Sequence, residues 1–346
     1  MPTGNKIRVL IAGSDEVWSL EKYYRKYLEE AGFEVGLVPV QSLFYRYYNG
    51  NLLHKMLFKA GVAGIGREIA EIVKQKIREW KPDVLWVFKG MELSPEILKW
   101  AREEKVFLMN YNPDNPFLFS GRGSGNRNVA ESIGLYDLHL TYDGSVKERI
   151  GREYGITCLS LPFGFELSDA VWEKCRAQEE VKKLCFVGNP DKQRAAFIRE
   201  LADDFALDIY GHGWSNFIRH HNVTICPPVY DEEFWKALYR YRGQLNLMRL
   251  HNPDSHNMRS FEVPGVGGIG LFPRTGDHTQ FFEEGREVFL YGDMKECRKW
   301  AGNLLSMTDS QAGEIRRAAR RRSLESKYSY RDRSFQVTAI IKEFCL

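Results

Sequence analysis

The chain has 346 residues and a formal net charge of +3 at pH 7, with 43% hydrophobic and 13% aromatic residues. This length predicts two or three domains, and the hydrophobic fraction is sufficient to build their cores. The small charge gives no support to a nucleic-acid partner, and six scattered cysteines without a CxxC pair argue against a zinc ribbon or a thioredoxin-like redox site.

The first half of the chain alternates strands with helices, which is typical of a parallel sheet covered on both faces. The first strand, residues 7–12, ends in a Gly-Ser turn, and a helix over 18–31 follows it. The other elements predicted in this half are the strands 33–40, 84–88, 106–110 and 136–141 and the helices 95–104 and 145–154.

The alternation breaks at the stretch Leu-Pro-Phe-Gly-Phe and at a charged helical segment over 169–183, which predicts a crossing between two domains. It then restarts with the strands 184–187, 207–210, 223–226, 244–248, 269–273 and 287–291 and the helices 193–201, 231–241, 294–306 and 309–326. We therefore predict doubly wound α/β domains over 1–165 and 166–328. A last helix within 329–346 is expected to cross back to the first domain. Ligands bind such sheets outside the carboxyl ends of their strands, so a site is expected in the cleft between the domains.

One stretch, residues 251–273, concentrates polar and glycine residues after a predicted strand. Asp254 or Ser255 can cap a helix that begins near His256. Asn257 and Arg259 then lie in its first turns, where backbone N–H groups favour an anion and an Arg adds paired donors for phosphate oxygens. A glycine-bearing run over 264–270 lets backbone approach closely before a buried strand. This chemistry fits a nucleoside diphosphate.

Two other interpretations of this stretch are a metal site and a capped helix without a ligand. His251 and His256 are five residues apart, do not share a helical face, and have no thiol nearby. Because a metal site needs three or more ligands at suitable spacing, we expect no metal here. The capped helix remains the plain alternative.

Residues 257–268 follow the pattern N-x-R-x-F-E-x-P-x-x-G-G. This pattern resembles the signature of the spore-protein (CgeB-like) branch of glycosyltransferases, which are GT-B-fold enzymes related to the retaining family 4 transferases. The segments 160–166, 186–194, 207–214 and 281–296 are similar to further motifs of that family. The resemblance covers 160–306 well and the first half only in outline. It implies a GT-B fold, in which two Rossmann-like domains bind the acceptor (1–165) and the nucleotide sugar (166–328).

By this resemblance, Glu262 is the second Glu of the family's E-x7-E pattern and holds the donor ribose, while Arg259 contacts the diphosphate. The position eight residues before Glu262 is Asp254, so this chain departs from the pattern by Asp for Glu. Asp254 is the residue expected to orient the donor sugar. The resemblance places further donor-binding residues in the same motif and in two earlier turns, namely Asn257, Gly267, Gly268, Gly188, Asn189, Arg194, Gly211, His212 and Gly213.

The implied reaction transfers a sugar from a nucleoside-diphosphate sugar to a glycan, lipid-linked or protein acceptor. Negative charge develops on the leaving diphosphate, so catalysis needs positive groups and a helix end there, a role for Arg259 and its helix. GT-B enzymes generally work without a metal, and no cofactor is expected. The resemblance favours retention of configuration. Inversion would need a base such as Asp114, for which a turn-forming role is the alternative.

Three other segments carry weaker expectations. Residues 42–69 mix aromatic and basic side chains, and a partly buried helix and loop is favoured there over a helix lying on a membrane. The loop 121–128 is either an acceptor-side lid or a disordered loop. The basic run over 316–322 is predicted to be a solvated helix face.

Two alternatives to a glycosyltransferase use the same scaffold, a sugar-nucleotide epimerase and an inactive binding or assembly protein. An epimerase needs carboxylates and histidines placed to activate water, and the sequence has no convincing set. The presence of Arg259 and Glu262 argues against an inactive protein. Since the chain has no signal-peptide pattern and no apolar run near the ~20 residues of a membrane helix, we expect a cytoplasmic protein, with peripheral contact at the inner membrane as the alternative.

Overall fold

A computed structural model describes residues 6–59, 64–119, 124–249 and 254–345. The chain divides into two compact units, one formed by Met1–Pro162 with Tyr330–Leu346 and the other by Phe163–Ser329. The domains predicted from the sequence end at residues 165 and 328. The short C-terminal segment belongs to the first unit.

The first unit is built on six parallel strands, β1 (Arg8–Ala12), β2 (Glu34–Val38), β3 (Val84–Phe88), β4 (Phe107–Tyr111), β5 (Leu138–Thr141) and β6 (Thr157–Ser160). Their order in the sheet is β2-β1-β3-β4-β5-β6. Every residue of β3 is buried, as expected for a continuous apolar strand inside a parallel sheet.

The helices of the first unit are α1 (Leu20–Glu30), α2 (Val40–Gly50), α3 (Leu52–Lys59), α4 (Ile65–Trp80), α5 (Pro95–Glu103), α6 (Arg127–Ser132) and α7 (Gly144–Tyr154). Apolar residues spaced four apart along α4, Ile65, Ile69, Val73 and Ile77, are all buried against the sheet side of that helix. The C-terminal helix, which is α15 (Tyr330–Cys345), packs on α1, where the rings of Tyr23 and Tyr330 stack with centroids 5.0 Å apart.

The second unit also has six parallel strands, β7 (Val181–Val187), β8 (Leu207–Tyr210), β9 (Val223–Cys226), β10 (Tyr241–Leu245), β11 (Gly270–Pro273) and β12 (Val288–Tyr291). Its helices are α8 (Asp169–Arg176), α9 (Lys192–Ala202), α10 (Asp231–Arg240), α11 (Arg259–Val266), α12 (Gly276–Phe281), α13 (Met294–Ser306) and α14 (Asp309–Glu325).

The strand order of the second sheet is β12-β11-β10-β7-β8-β9. The chain therefore starts at β7, winds outward to β9, and returns to β10 on the other side of β7. This is the doubly wound arrangement of dinucleotide-binding folds, whose ligand crevice lies where the order reverses, between β7 and β10.

The structure corrects three predicted elements. The charged segment 169–183 is helical only to Arg176, and β7 begins at Val181. Strand β10 lies at Tyr241–Leu245 instead of 244–248, because the sheet accepts the fully buried Arg242. The guanidinium of Arg242 reaches Asp309 at 2.7 Å, Glu180, and the Met307 carbonyl at 2.5 Å. Finally, β6 extends the first sheet where no strand was predicted.

Candidate functional site

Two glycine turns meet at the carboxyl edge of the second sheet, one after β7 and one after β8. Gly211 has φ +150°, and a Cβ built on it would lie 2.3 Å from the Gly188 carbonyl oxygen, so only glycine fits there. The His212 amide donates to Asn189 Oδ1 at 3.2 Å, and the Trp214 indole donates to the Gly188 carbonyl at 2.8 Å. The structure thus joins five residues predicted to bind the donor, Gly188, Asn189, Gly211, His212 and Gly213.

Arg194 ties the ends of β7 and β10 together. Asp191 caps α9 by accepting from the Arg194 amide, which places the Arg194 side chain over the sheet edge. Its guanidinium donates to the carbonyls of Asn189 at 3.1 Å and Leu247 at 2.7 Å. With only 8% of the residue exposed, Arg194 supports the edge more than it offers itself to a ligand.

Arg259 lies at the start of α11, beside the same edge. Its Nε donates to the Val187 carbonyl at the end of β7 at 3.1 Å, and its guanidinium lies 4.4 Å from the centroid of the Phe234 ring. A second guanidinium nitrogen pairs with Glu262. Burial raises the pKa of the Glu262 carboxyl, and the Arg259 charge opposes that rise. The two residues predicted to hold diphosphate and ribose therefore form an ion pair with each other.

A third arginine, Arg249, completes a positive cluster with Arg194 and Arg259. Burial, together with the positive charges of Arg249 and Arg259, lowers the pKa of Arg194 to about 10. Cations that repel one another at a partly buried edge create a strong local preference for an anion. Arg249 was not among the predicted residues, although its position just after the predicted strand 244–248 was a signal for it.

The first turn of α11 adds backbone donors to this positive cluster. The helix begins at Arg259, with Met258 as its N-cap and no side-chain cap. Within the part of the chain that the structure describes, the amides of Met258 and Arg259 have no acceptor. Two free N–H groups at a helix start, beside an arginine, are well suited to phosphate oxygens.

The predicted start of this helix near His256, capped by Asp254 or Ser255, is therefore wrong. Ser255 Oγ donates to Asp277 at 2.9 Å instead of capping a helix, and Asn257 Oδ1 accepts from the Ser260 amide at 3.3 Å. Asp254 is exposed and makes no hydrogen bond or ion pair with any described residue. The structure does not bring its carboxylate to Arg259 or Glu262.

His256 is completely buried and has both ring nitrogens occupied. Nε2 accepts from the Phe163 amide at 3.2 Å, so Nδ1 carries the proton and donates to Asp277 at 2.6 Å. This histidine holds the start of the second unit to the loop before α11. His251 lies outside the described residues. Within the described ranges, no group of three or more His, Cys, Asp or Glu side chains is placed to hold a metal.

A buried polar network fixes the loop before α11. Asn246 and Asn257 exchange side-chain hydrogen bonds of 2.8 and 3.2 Å, and Asn246 also donates to Ser260 Oγ at 3.2 Å. Burial lowers the pKa of His278 to about 4, so the ring is neutral at pH 7. Its Nδ1 donates to the Pro273 carbonyl at 2.7 Å, which leaves Nε2 to accept from Ser260 Oγ at 2.7 Å. Of these residues, only Asn257 was predicted.

The glycines after α11 serve packing at the other end of this helix. Pro264 to Val266 form its last turn, and Gly267, with φ +86°, ends it. A Cβ on Gly268 would lie 2.5 Å from the Leu238 carbonyl of α10. Eight helical residues span about 12 Å, so Gly267 and Gly268 are not grouped with Arg259.

The first unit has its own polar cluster at the carboxyl edge of β1, β3 and β4. Lys89 pairs with Asp114 at 2.5 Å, so the predicted base is engaged with a cation. Glu21 accepts from the Ser14 amide at 2.7 Å. Burial raises the pKa of Glu92 to about 7, and its Oε2 is enclosed without a partner among the described residues. Glu92, which follows the strand 84–88, is therefore better suited than Asp114 to exchange a proton near neutral pH, although no sequence pattern singles it out.

Comparison with known proteins agrees with this architecture. Residues 192–339 match the family described as glycosyl transferase-like. A sucrose-phosphate synthase from Thermosynechococcus elongatus has a similar structure, with a TM-score of 0.70, 9% identity, and coverage of 98% of this chain and 99% of that chain. A Rickettsia africae glycosyltransferase gives a TM-score of 0.64 at 13% identity, covering 98% of each chain. Anabaena HepE in complex with UDP-glucose gives 0.64 at 11% identity, covering 98% of this chain and 100% of that chain.

The chain has the GT-B fold. The fold class predicted from the sequence is therefore confirmed, while the CgeB-like branch and the relation to family 4 stay predictions. A putative UDP-N-acetylglucosamine 2-epimerase from Listeria monocytogenes also shares the fold, with a TM-score of 0.56 at 14% identity, covering 98% of this chain and 96% of that chain. Among curated proteins, none matches this sequence.

Two surface features of this GT-B protein bear on the earlier expectations. The segment predicted as a helix and loop forms α2, α3 and the start of α4, and α3 exposes Leu52, Leu53 and Met56. In the described residues, no helix is long and apolar enough to cross a membrane. The prediction for the loop 121–128 falls partly on residues 121–123, which lie outside the described residues.

Proposed function

We propose that this protein is a glycosyltransferase that uses a nucleoside-diphosphate sugar as its donor. The observation that carries the proposal is the cluster of Arg194, Arg249 and Arg259 beside the free amides that start α11. The cluster lies at the strand-order reversal where doubly wound sheets bind ligands. The family match over 192–339 and the UDP-glucose complex of Anabaena HepE support it.

The donor diphosphate would bind to Arg259, to the exposed Arg249, and to the amides of Met258 and Arg259. Arg194 supports this site by holding the ends of β7 and β10 together. As phosphate oxygens draw the Arg259 guanidinium away, the buried Glu262 carboxylate loses its ion pair. A ribose hydroxyl pair can then satisfy it, since a buried carboxylate without donors is unstable. Donor binding and release of Glu262 are thus one event in this proposal.

The reaction breaks the bond between the sugar and the diphosphate, and negative charge accumulates on the departing phosphate. The arginine cluster and the amides of α11 are already oriented toward that charge, which lowers the barrier without a metal ion. For this reason we propose that the transfer does not depend on a metal ion. We propose retention of the sugar's configuration because of the family resemblance. A reaction with inversion would instead need an acceptor base, and Glu92 is then the candidate.

The test is a thermal-shift panel of nucleotides and nucleotide sugars on wild type and Arg259→Ala, with and without a chelator. A ligand at 100 times its dissociation constant stabilises the folded state by about 2.7 kcal/mol. We expect one nucleoside diphosphate to raise the melting temperature of wild type, with or without chelator, and to leave R259A unchanged. Arg286→Ala is the matched control, because Arg286 also pairs with a Glu three residues away but is 61% exposed.

If no nucleotide stabilises wild type, or if R259A responds as wild type does, the donor site is wrong. A chelator that abolishes the shift would contradict metal independence. The responding base then names the donor, and transfer to glycan, lipid-linked and protein acceptors can be measured with it. The exposed apolar face of α3 makes a lipid-linked acceptor at a membrane surface the first to test.

Epimerisation is the second candidate, supported by the Listeria monocytogenes neighbour. It predicts that the protein converts a UDP-sugar to its epimer in the absence of any acceptor. NMR of the UDP-sugar after incubation distinguishes the two functions, because only an epimerase changes the configuration of the sugar without an acceptor, whereas a transferase releases UDP only when an acceptor is present to take the sugar.

A further inference from the structure

The basic run of α14 is only in part the solvated face that its sequence predicts, because Arg317 and Arg321 are exposed and two other arginines are not. Arg316 and Arg320 are buried, with 8% and 9% of each residue exposed. Arg316 donates to the carbonyls of Tyr241 at 2.9 Å and Gly267 at 3.2 Å, and pairs with Glu180 at 2.8 Å. The guanidinium of Arg320 lies 3.9 Å from the centroid of the Trp172 ring.

A cavity of about 480 Å³ opens beside these two arginines, between α8, α14 and the end of α11. Its walls carry five arginines and two aromatic rings, with Glu325 as the single acidic residue in the lining. This volume falls within the ~300–1,000 Å³ of ordinary small-molecule sites. Two of the arginines, Arg317 and Arg321, and the two rings, of Trp172 and Tyr239, line the same cavity.

Arg317 and Arg321 are the unsatisfied cations of this cavity. Both are exposed, and neither forms an ion pair within the described ranges of the chain. They lie one helical turn apart on α14, so their side chains start about 6 Å from each other on one face. Two guanidinium forks at that spacing can hold the oxygens of one phosphate or of a diphosphate.

We propose that this cavity is a second ligand site of the protein, which binds a soluble small molecule carrying a phosphate group and a sugar or other ring. Arg317 and Arg321 bind the phosphate. The ligand's ring packs beside Trp172 and Tyr239, whose rings already carry the guanidinium groups of Arg320 and Arg316. The ligand's negative charge compensates the excess positive charge of the lining.

The position of the cavity connects it to the donor site. Arg316 and Arg320 donate to the carbonyls of Gly267 and Gly265 at the end of α11, the latter at 2.6 Å. The start of the same helix carries Arg259 and Glu262. A phosphate that draws Arg316 or Arg320 toward itself weakens these hydrogen bonds to the end of α11. The position of the first turn of that helix then changes as well. This coupling rests on the proposed function, whereas binding in the cavity does not.

The test is calorimetric titration of the full chain with inorganic pyrophosphate and glucose 1-phosphate. We compare wild type, Arg317→Ala/Arg321→Ala, and Arg249→Ala/Arg259→Ala. Because phosphates can also enter the donor site, the last variant isolates the cavity. We expect it to keep phosphate binding. The α14 variant should bind roughly tenfold more weakly or worse, as the loss of a charged hydrogen bond implies. Its exposed positions should leave the melting temperature unchanged.

The proposal is overturned if neither probe binds R249A/R259A, or if R317A/R321A binds as wild type does. Vesicles of anionic phospholipid form a separate arm. Binding to vesicles without binding of the soluble probes would also overturn it, because it would make the basic face a membrane contact. Nucleotide affinity measured with and without glucose 1-phosphate tests the coupling, and an unchanged affinity in wild type refutes it. If nucleotide binding requires Arg259 but R317A/R321A binds the phosphate probes as wild type does, the second site is refuted and the proposed function remains intact.

Discussion

The substitution Glu92→Gln tests whether the buried Glu92 carboxyl, at the sheet edge of the first unit, stays protonated and uncharged near neutral pH. Burial raises the pKa of Glu92 from 4.5 to about 7. The folded protein then keeps this proton up to about pH 7, while the unfolded chain releases it near 4.5. Because the folded state binds more protons in this window, the contribution of Glu92 to stability is full below about pH 4.5 and is lost as the pH rises through 7.

The size of the effect follows from that interval. Each pKa unit is worth about 1.4 kcal/mol, so the full shift corresponds to about 3 kcal/mol at pH 8. Glutamine has nearly the same shape and no charge, and it avoids this loss. We therefore expect E92Q to be more stable than wild type by on the order of 2–3 kcal/mol at pH 8 and nearly equal to it at about pH 5.

The assay is urea unfolding of both proteins at the two pH values, followed by a signal from the first unit. The exposed Glu148 of α7 provides the control, because Glu148→Gln removes a carboxylate of the same unit without burial. A stability difference between E92Q and wild type that does not grow from pH 5 to pH 8 would refute the reasoning. So would an equal pH dependence in E148Q.

Three further predictions concern the second unit. Gly211→Ala places a Cβ against the Gly188 carbonyl at a strained φ, so it should destabilise the protein by ~2 kcal/mol or more and abolish nucleotide stabilisation in the thermal-shift panel. Ser260→Ala leaves His278 Nε2 without its donor and should cost about 1–3 kcal/mol in urea unfolding, together with weaker nucleotide binding; an unchanged midpoint would contradict the network. Arg249→Ala, at an exposed position, should change stability by less than about 0.5 kcal/mol and still weaken nucleotide binding, and equal affinity would remove Arg249 from the site.

The sequence predicted the elements whose determinants are local. The strands 84–88, 207–210 and 223–226 have the predicted bounds, because each is an apolar or alternating run between turn residues. The predicted bounds of strand β10 were wrong because an arginine such as Arg242 is expected at the surface and not inside a strand. Its partners, Glu180 and Asp309, lie more than 60 positions away in the chain. Long-range pairing of a buried charge leaves no local pattern.

In the candidate site, too, features with local determinants were predictable and features that depend on distant residues were not. The glycine turns around Gly188 and Gly211 were predictable, because a glycine directly after a predicted strand marks a turn, and the positive φ of Gly211 requires glycine there. The start of α11 was not, because Ser255 and His256 are held by Asp277, which lies beyond the next strand. The pKa of Glu92 depends on burial, and the charge cluster of Arg249 depends on two other elements. Neither property is encoded within a short stretch of sequence.

The division of the chain into units has a consequence for biosynthesis. The second unit is continuous, Phe163–Ser329, and its two ends lie side by side, joined by the hydrogen bond from the Phe165 amide to the Tyr328 carbonyl at 3.2 Å. The first unit, in contrast, is completed by α15, which leaves the ribosome after the whole of the second unit. Domains tend to fold as they emerge, so the second unit can finish folding while the first still lacks the partner of α1. A nascent chain stalled before residue 330 should then contain a protease-resistant second unit and an open first one.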